Sequence, residues 1–170
     1  MKKYLKGGLM RILGIDPGFA ITGYCIIDYI GNKFKLITSG AIITEAHTSF
    51  PLRLEKIYDD LQQIITKFKP DAMSIEELFF NNNAKTAINV AQARGVILAT
   101  ARINKIPIYE YTPLQVKQAV VGYGRADKIQ IQHMVKMILN ETELPKLDDT
   151  TDSMAIAICH AHSCKFAQCL

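Results

Sequence analysis

The period of the apolar positions changes several times along the chain, and each change marks a strand or a helix. Residues 11–16 form a short apolar run that stops at a Pro-Gly turn, which predicts a buried strand. Two further β-rich stretches, residues 22–29 and 34–44, meet across Gly31-Asn32, a sequence typical of a hairpin turn. The pattern therefore predicts an antiparallel meander of three strands.

After the third strand the apolar residues recur every three or four positions, which predicts an amphipathic helix from residue 49 to 69. Pro70 ends this helix, and residues 72–76 form another short apolar run that predicts a buried strand. A strand, a helix and a second strand in this order predict a right-handed crossover. We therefore expect the fourth strand to lie parallel in the same sheet.

The second half of the chain is predicted to be mainly helical. A strand at 106–111 is the fifth, and Thr112-Pro113 is a cap followed by proline, as at the start of a helix. Helix 84–103 is apolar on more than one face, so we expect one face to contact another subunit. The other two predicted helices span residues 126–139 and 149–163.

The length of 170 residues suits one folding unit, and the elements predict an α/β domain with a five-stranded mixed sheet flanked by helices. We expect this domain to span residues 10–163, with residues 1–9 as an N-terminal extension and residues 164–170 as a C-terminal tail. Twenty Lys and Arg against sixteen Asp and Glu give a net charge of +4. This excess tolerates a polyanionic partner without identifying one.

The cysteines and the hydropathy pattern bear on where the protein works. No apolar run reaches the roughly 18 residues of a membrane span, and Cys25, Cys159, Cys164 and Cys169 lack the spacing of a disulfide framework. We expect reduced thiols and a cytoplasmic protein. The tail also contains His160 and His162, so zinc is an alternative, but no Cys-x-x-Cys pair is present. A helix end with buried thiols is the favoured interpretation.

Four carboxylates carry the candidate chemistry. Asp16 and Glu76 each end a predicted strand, and Asp149 and Asp152 lie three residues apart at the start of a helix. If the two strands are neighbours, all four side chains can converge, and their mutual repulsion would call for divalent cations. Asp148 is an alternative to Asp149, because it lies four residues before Asp152.

Oxygen-only ligands favour Mg²⁺ or Mn²⁺ over zinc. Two such ions about 4 Å apart can activate water and stabilise a leaving oxygen in phosphodiester cleavage. Each acid also has a plain structural interpretation: an Asp before Pro-Gly is often a turn residue, and an Asp at a helix start is often a cap.

Six segments in this order resemble the RuvC family, the bacterial Holliday-junction resolvases, from about residue 10 to residue 163. They are Ile-Leu-Gly-Ile-Asp-Pro-Gly at 12–18, Thr-Gly-Tyr at 22–24, Ser-Ile-Glu-Glu-Leu-Phe at 74–79, Gln-Ala-Arg-Gly-Val at 92–96, Gln-Val-Lys-Gln-Ala-Val-Val-Gly at 115–122 and Asp-Thr-Thr-Asp-Ser-Met-Ala-Ile-Ala-Ile at 149–158. The ordered set is specific, whereas Asp-Pro-Gly alone is not.

The resemblance implies an RNase H-like fold, a homodimer, and Mg²⁺-dependent nicking of two strands of a four-way DNA junction, with two ions per subunit and Mn²⁺ as a possible substitute. It implies that Asp16, Glu76, Asp149 and Asp152 are the catalytic and metal-binding residues. It also implies cooperation with the RuvA-RuvB branch-migration complex and a place near the nucleoid.

Aromatic and basic residues near the predicted site are candidates for DNA contacts. Phe79 matches the family's base-stacking aromatic, and Phe80 either shares that role or caps the core. The basic side chains that could contact phosphates are Lys117, Lys128, Arg125, Lys85 and Arg94. Of these, Lys117 and Lys128 match basic positions of the family.

Three rival functions remain open on sequence alone. An actin-like or sugar-kinase-like ATPase shares the first Asp-x-Gly turn, but the second phosphate motif and the longer two-lobed chain are missing. A RuvX-type nuclease of the same fold is disfavoured by the segment 115–122. A non-catalytic junction-binding module is disfavoured by the complete set of four carboxylates.

Overall fold

The structure is a computed structural model that describes residues 8–78 and 84–166. Within these ranges the chain forms five strands and five helices, in the order that the sequence predicts. The elements are β1 (Met10–Asp16), β2 (Ile21–Ile30), β3 (Lys33–Ile43), α1 (Phe50–Phe68), β4 (Ala72–Glu76), α2 (Ala84–Ile103), β5 (Ile108–Tyr111), α3 (Pro113–Val121), α4 (Lys128–Leu139) and α5 (Asp148–Phe166).

All five of these strands join one mixed sheet in the order β3-β2-β1-β4-β5. Strand β2 pairs antiparallel with both β1 and β3, as the predicted meander requires. Strand β4 pairs parallel with β1 and with β5, so the predicted parallel crossover is confirmed. Consequently β1 and β4, which both end in a carboxylate, are direct neighbours.

The turn between β2 and β3 has the predicted chemistry. Gly31 and Asn32 both have positive φ angles, 52° and 70°, which are the values that a tight hairpin with the twist of the strands needs. Glycine and asparagine adopt this left-handed region at low cost.

The sheet separates two hydrophobic clusters, and β1 contributes alternate residues to each. Leu13 and Ile15 are buried against α1 and α2 on one face. Ile12 is buried against α3, α4 and α5 on the other face. Because side chains alternate along a strand, Asp16 projects to the same face as Ile12, which is the α5 face. The same alternation in β4 sends Glu76 to that face, opposite to Ile75.

Helix α5 packs across the centre of the sheet. Its residues from Ser153 to Ala161 are almost completely buried, polar and apolar alike. A helix enclosed on all sides has no amphipathic stripe, which is why its sequence looks uniformly apolar. Its N-terminal turn therefore has a fixed position over the ends of β1 and β2.

Element boundaries differ from the sequence predictions by a few residues. Strand β5 begins at Ile108 instead of residue 106, because Lys105 adopts a left-handed conformation (φ 60°) and Ile106 donates back to the end of α2. Helix α4 begins at Lys128 because Asp127 and Gln130 form a capping box. No helix in the described ranges has the length and apolarity needed to cross a bilayer.

Candidate active site

The first two carboxylates lie at the ends of neighbouring parallel strands. Ile15 of β1 is paired with Ile75 of β4, so the next residues, Asp16 and Glu76, are level with each other. Both strands send these side chains to the α5 face. The predicted convergence of the two acids at one edge of the sheet is thus present in the structure.

The other two carboxylates lie on the first turns of α5, and a glycine allows that helix to come close. A Cβ atom on Gly23 would lie 1.9 Å from the carbonyl oxygen of Asp149, a distance that no real side chain tolerates. Gly14 has the same role one turn further along, where a Cβ would lie 2.2 Å from the carbonyl oxygen of Ser153. These close contacts bring Asp149 and Asp152 over the end of β1.

Electrostatic coupling links the four acids. Burial raises the pKa of Asp16 to about 7, and repulsion from Asp152, Glu76 and Asp149 adds to the rise. The pKa of Glu76 is raised by burial and then by Asp152. Burial raises the pKa of Asp152, and the nearby Lys128 ammonium offsets part of this rise. The quartet is therefore a set of half-buried carboxylates whose negative charges oppose one another.

Such a set fits hard divalent cations, because all donors are carboxylate oxygens and additional positive charge would relieve the repulsion. No group of three or more His, Cys, Asp or Glu in the described ranges already surrounds a point where a metal ion could sit. The acids are thus close enough to repel each other but are not closed around a shared centre. Small side-chain rotations would be needed to coordinate an ion.

Asp148 has a different role from its neighbour Asp149. Its carboxylate accepts from Lys128 Nζ at 3.0 Å and from Gln132 Nε2 at 3.1 Å, both on α4. It is absent from the groups that raise the pKa of Asp16, whereas Asp149 is one of them. Asp148 is also among the groups that raise the pKa of Asp152, so it lies beside the quartet with its own partners on α4.

Two lysines line a cavity of about 230 Å³ beside the carboxylates. Lys128 Nζ lies 3.6 Å from Asp152 Oδ2 in addition to its contact with Asp148. Lys117 of α3 lowers the pKa of Glu76, which opposes the effect of burial. Helices α3 and α4 thus bring both predicted basic residues to the site, with Pro113, Val116 and Ile131 completing the apolar part of the lining.

The remaining candidates for DNA contact are placed less favourably or lie outside the described side chains. Arg125 is exposed between α3 and α4 and is not part of the cavity lining. Arg94 forms an ion pair with Glu110. The predicted stacking residues Phe79 and Phe80 and the side chain of Lys85 lie outside the described residues.

The histidine and cysteine residues of α5 belong to the core. Cys159 and His160 are buried, and the Tyr111 hydroxyl lies 2.8 Å from His160 Nδ1. Burial lowers the pKa of His160 to about 4, so the ring is neutral at physiological pH. Cys164 is partly buried and lies 3.4 Å from His160 Nε2. The predicted helix end with buried thiols is confirmed for Cys159, while Cys169 lies outside the described residues.

Sequence reasoning missed the residues that build the site without contributing chemistry. Gly14 and Gly23 appear in the resemblance segments, yet their part in seating α5 was not predicted. The available signal is a glycine inside a strand, which often marks the close approach of another backbone. The stack of Phe19 against Phe50 and Arg53 was also missed, because it joins residues more than 30 positions apart.

A five-stranded mixed sheet with acids at the ends of two neighbouring central strands and on the adjoining helix defines a nuclease of the RNase H-like class. The family model described as "Crossover junction endodeoxyribonuclease RuvC" matches residues 12–160. The chain belongs to the RuvC family. It is therefore an endodeoxyribonuclease, an enzyme that hydrolyses phosphodiester bonds in DNA.

Relatives and a solved structure support this assignment across nearly the whole chain. The chain is 58% identical over 159 residues to the crossover junction endodeoxyribonuclease RuvC of Alkaliphilus oremlandii, covering 94% of this chain and 97% of the relative. It is 57% identical over 157 residues to that of Alkaliphilus metalliredigens, covering 92% and 96%. The structure of T. thermophilus RuvC in complex with a Holliday junction substrate superposes with a TM-score of 0.89 at 31% identity, covering 94% and 97%.

Proposed function

We propose that Asp16, Glu76, Asp149 and Asp152 are the catalytic residues of a Holliday-junction resolvase that makes paired symmetric nicks in recombination and DNA repair. The observation that carries the proposal is the pairing of β1 with β4, which places Asp16 level with Glu76 beside the start of α5, where burial and repulsion by the other acids raise the pKa of Asp16. Carboxylates that repel one another in this way are typical of functional sites that bind a positively charged group. In our proposal the nuclease domain begins at residue 10, with residues 1–9 outside it. The predicted boundary at residue 163 is too early, because α5 continues to Phe166 and Cys164 packs against the core.

The carboxylates would hold two Mg²⁺ ions per subunit, and Mn²⁺ could substitute because it accepts the same oxygen ligands. When bound, the two ions would lower the pKa of the attacking water and neutralise charge on the leaving oxygen. The four carboxylates would determine where the ions bind. Asp16 and Glu76 would hold them at the edge of the sheet, and Asp149 and Asp152 would hold them from the first turns of α5. The products would carry a 5′-phosphate and a 3′-hydroxyl that a ligase can join.

Basic residues beside the acids would hold the DNA backbone. Lys117 and Lys128 line the cavity that also contains Glu76 and Asp152, so a phosphate entering it meets both charges. Arg125 is exposed in the loop between α3 and α4 and would contact another phosphate. We also propose that Phe79 stacks on an unpaired base at the crossover.

A homodimer would place two such sites on one junction. A four-way junction has approximate two-fold symmetry, and a two-fold dimer can present identical sites to like strands. Helices α1 and α2 offer the contact surface, because the exposed Tyr58 and Ile103 line one apolar groove between them. Apolar patches of this kind mark protein-protein contacts.

Further partners and location complete the proposal. The resolvase would act with the RuvA-RuvB branch-migration complex, in the cytoplasm and near the nucleoid. These statements rest on membership of the RuvC family and on the resemblance of the site segments.

The decisive experiment compares the wild type with Glu76→Gln on a synthetic four-way junction in Mg²⁺. The amide keeps the size of the side chain but removes the charge, so we expect the variant to bind the junction and not to cut it. The wild type should make two nicks at symmetry-related positions. A matched control is Glu45→Gln, an exposed position between β3 and α1 that lines neither the lysine cavity nor the groove between α1 and α2, and it should cut normally.

Two results would overturn the proposal. Equal cutting of linear duplex or of an RNA-DNA hybrid would contradict junction selectivity. Junction binding without any cutting by the wild type in Mg²⁺ or Mn²⁺ would favour the non-catalytic binding module instead.

A further inference from the structure

A second cleft reaches the carboxylates from the side of α2. It is lined by the turn between β1 and β2, by Asn89 and Val90 of α2, and by Asp149, and its volume is about 340 Å³. It shares no lining residue with the cavity that contains Lys117 and Lys128. Glu76 and Asp152 line that cavity and Asp149 lines this cleft, so both spaces adjoin the quartet.

The chemistry of this cleft differs from that of the lysine cavity. Phe19, Ala20, Ile21 and Val90 give it an apolar surface, and among the described residues Asp149 is the one charged residue in its lining. The described lining therefore offers a phosphate no cation and mainly apolar contacts. An uncharged, flat, partly polar group fits better, and in DNA that group is the nucleobase with its deoxyribose.

Asn89 supplies the polar part of the surface. Its side-chain amide offers two donors and an acceptor, which is the set that pairs with the edge of a base. The described part of the chain contains no side chain or backbone group that hydrogen-bonds to this amide. Asn89 is half-buried and lines the cleft, so its amide is open to a ligand.

The opposite wall is rigid before any ligand arrives. The Phe19 ring stacks on Phe50 with 5.0 Å between centroids, and the Arg53 guanidinium lies 3.8 Å from the centre of the Phe19 ring. Thr44 donates its hydroxyl to the Phe19 carbonyl at 2.6 Å and its N–H to the Ala20 carbonyl at 3.0 Å. A pre-formed wall lowers the entropic cost of binding.

We propose that this cleft binds the nucleobase and deoxyribose of the nucleotide next to the scissile phosphate, and that Asn89 hydrogen-bonds to the base edge. The occupied cleft fixes the phosphate over the acids, and the identity of the base then influences the cleavage rate. The inference rests on the proposed carboxylate site, because Asp149 is the residue that both lines the cleft and belongs to that site.

The first test fills the cleft from its solvent side. Ala20 is exposed and lines the cleft, so Ala20→Leu should occupy the space without disturbing the core. We expect the single-turnover rate constant for junction cleavage to fall about tenfold, since misplacing a reacting group is costly. The junction Kd should change less than about threefold, because phosphate contacts dominate affinity. The matched control, Ala46→Leu, makes the same change at an exposed residue outside the lining and should behave as wild type.

The second test removes the hydrogen-bonding groups of Asn89. Asn89→Leu keeps the volume of the side chain, and it is assayed on junctions that differ only in the nucleotide on either side of the cleaved bond. We expect the wild type to cleave some of these junctions faster than others. The variant should cleave the junctions at equal rates when the nucleotide on one particular side of the cleaved bond is varied. Thermal unfolding of both variants checks that the fold is intact.

The outcomes separate this inference from the proposed function. Normal cutting by Ala20→Leu, an unchanged base preference in Asn89→Leu, or equal losses in Ala20→Leu and Ala46→Leu would each overturn the cleft as a nucleoside site. Cutting by Asp149→Asn at the wild-type rate would instead overturn the carboxylate site itself. Loss of cutting in Asp149→Asn with no effect of the cleft variants would leave the proposed function standing and remove only this inference.

Discussion

Gly23 of β2 lies directly against the backbone of Asp149 at the start of α5. A Cβ atom at Gly23 would be 1.9 Å from the Asp149 carbonyl oxygen and 3.0 Å from the Thr150 nitrogen. The absent side chain is thus what lets the N-terminal turn of α5 rest on the sheet. The position of two catalytic candidates depends on this contact.

Replacing Gly23 with alanine should therefore damage activity through geometry alone. The new methyl group meets backbone atoms, which cannot move aside as a flexible side chain can, so the start of α5 must shift. We expect Gly23→Ala to lower the cleavage rate constant at least about a hundredfold, a typical cost of a displacement near 1 Å. Junction cleavage under single-turnover conditions measures this effect.

Gly95 provides the control for this substitution. It lies in α2, and a Cβ there would have no neighbour within 4 Å. Gly95→Ala should raise the stability of the helix by about 1 kcal/mol and leave cleavage unchanged. If Gly23→Ala cuts at the wild-type rate, the close contact does not position the acids.

The sequence predicted the strands and helices well because their signals are local. The run at residues 11–16, the Gly31-Asn32 turn and the cap before α3 each depend on a few neighbouring residues. The pairing of Gly23 with Asp149 joins residues more than 120 positions apart, and nothing near either residue indicates it. Long-range packing of this kind is therefore visible only in the folded chain.

The pH dependence of stability provides a second prediction, made for the metal-free protein. The pKa of Asp16 rises from an ordinary 3.8 to about 7 on folding, so the folded state binds more protons between these values. Asp16 should therefore make the free energy of unfolding fall as pH increases from about 4 to 7, whereas the buried His160, whose pKa is lowered on folding, contributes a slope of opposite sign. Urea unfolding in EDTA at a series of pH values measures the slope.

Removing the charge at Asp16 should remove part of this slope. Asp16→Asn stays neutral at every pH, so it should be more stable than the wild type at pH 7 and lose its catalytic activity. Asp59→Asn, an exposed change on α1, should keep the wild-type slope. Added Mg²⁺ should stabilise the wild type at pH 7 more than Asp16→Asn. Equal slopes for the wild type and Asp16→Asn between pH 4 and 7 would contradict the electrostatic account of the site.

The acidic and basic residues of the candidate site were only partly predictable from the sequence. The four acids and the two lysines Lys117 and Lys128 stand at positions that match the RuvC family, and the structure brings them to one place. Arg94 looked equally basic in sequence, yet it forms an ion pair with Glu110 of the neighbouring β5. Charge alone does not show which acid a basic side chain contacts, because Lys128 pairs with acids of α5 and Arg94 pairs with an acid of β5.

Lys128 should contribute one phosphate contact to DNA binding. Its ammonium lies between Asp148 and Asp152 in the free protein and faces the cavity beside the acids. Lys128→Met keeps the length of the side chain and removes the charge. We expect weaker junction binding and a salt slope of log Kd that is smaller by about one unit. Fluorescence anisotropy at several salt concentrations measures both quantities.

The control for Lys128 is Lys56→Met on α1. Lys56 is paired with Asp60 at 2.8 Å, and neither residue lines the cavity beside the acids or the nucleoside cleft. This variant should keep the wild-type affinity and salt slope. An unchanged slope in Lys128→Met would mean that its ammonium does not replace a counterion on the DNA.

The proposed dimer can be tested through Ile103 at the end of α2. This side chain is 68% exposed and lines an apolar groove with Tyr58 of α1, so in a dimer it would be buried. Ile103→Glu would place a charge in that contact and should shift the protein to monomers in sedimentation velocity at micromolar concentration. Ile129→Glu makes the same change at a site on α4 that is 76% exposed, and it should remain a dimer. The monomeric variant should still be folded and should lose the paired character of its nicks, because two sites are then no longer held on one junction. A wild type that sediments as a monomer would contradict the dimer, and a dimeric Ile103→Glu would move the interface away from this groove.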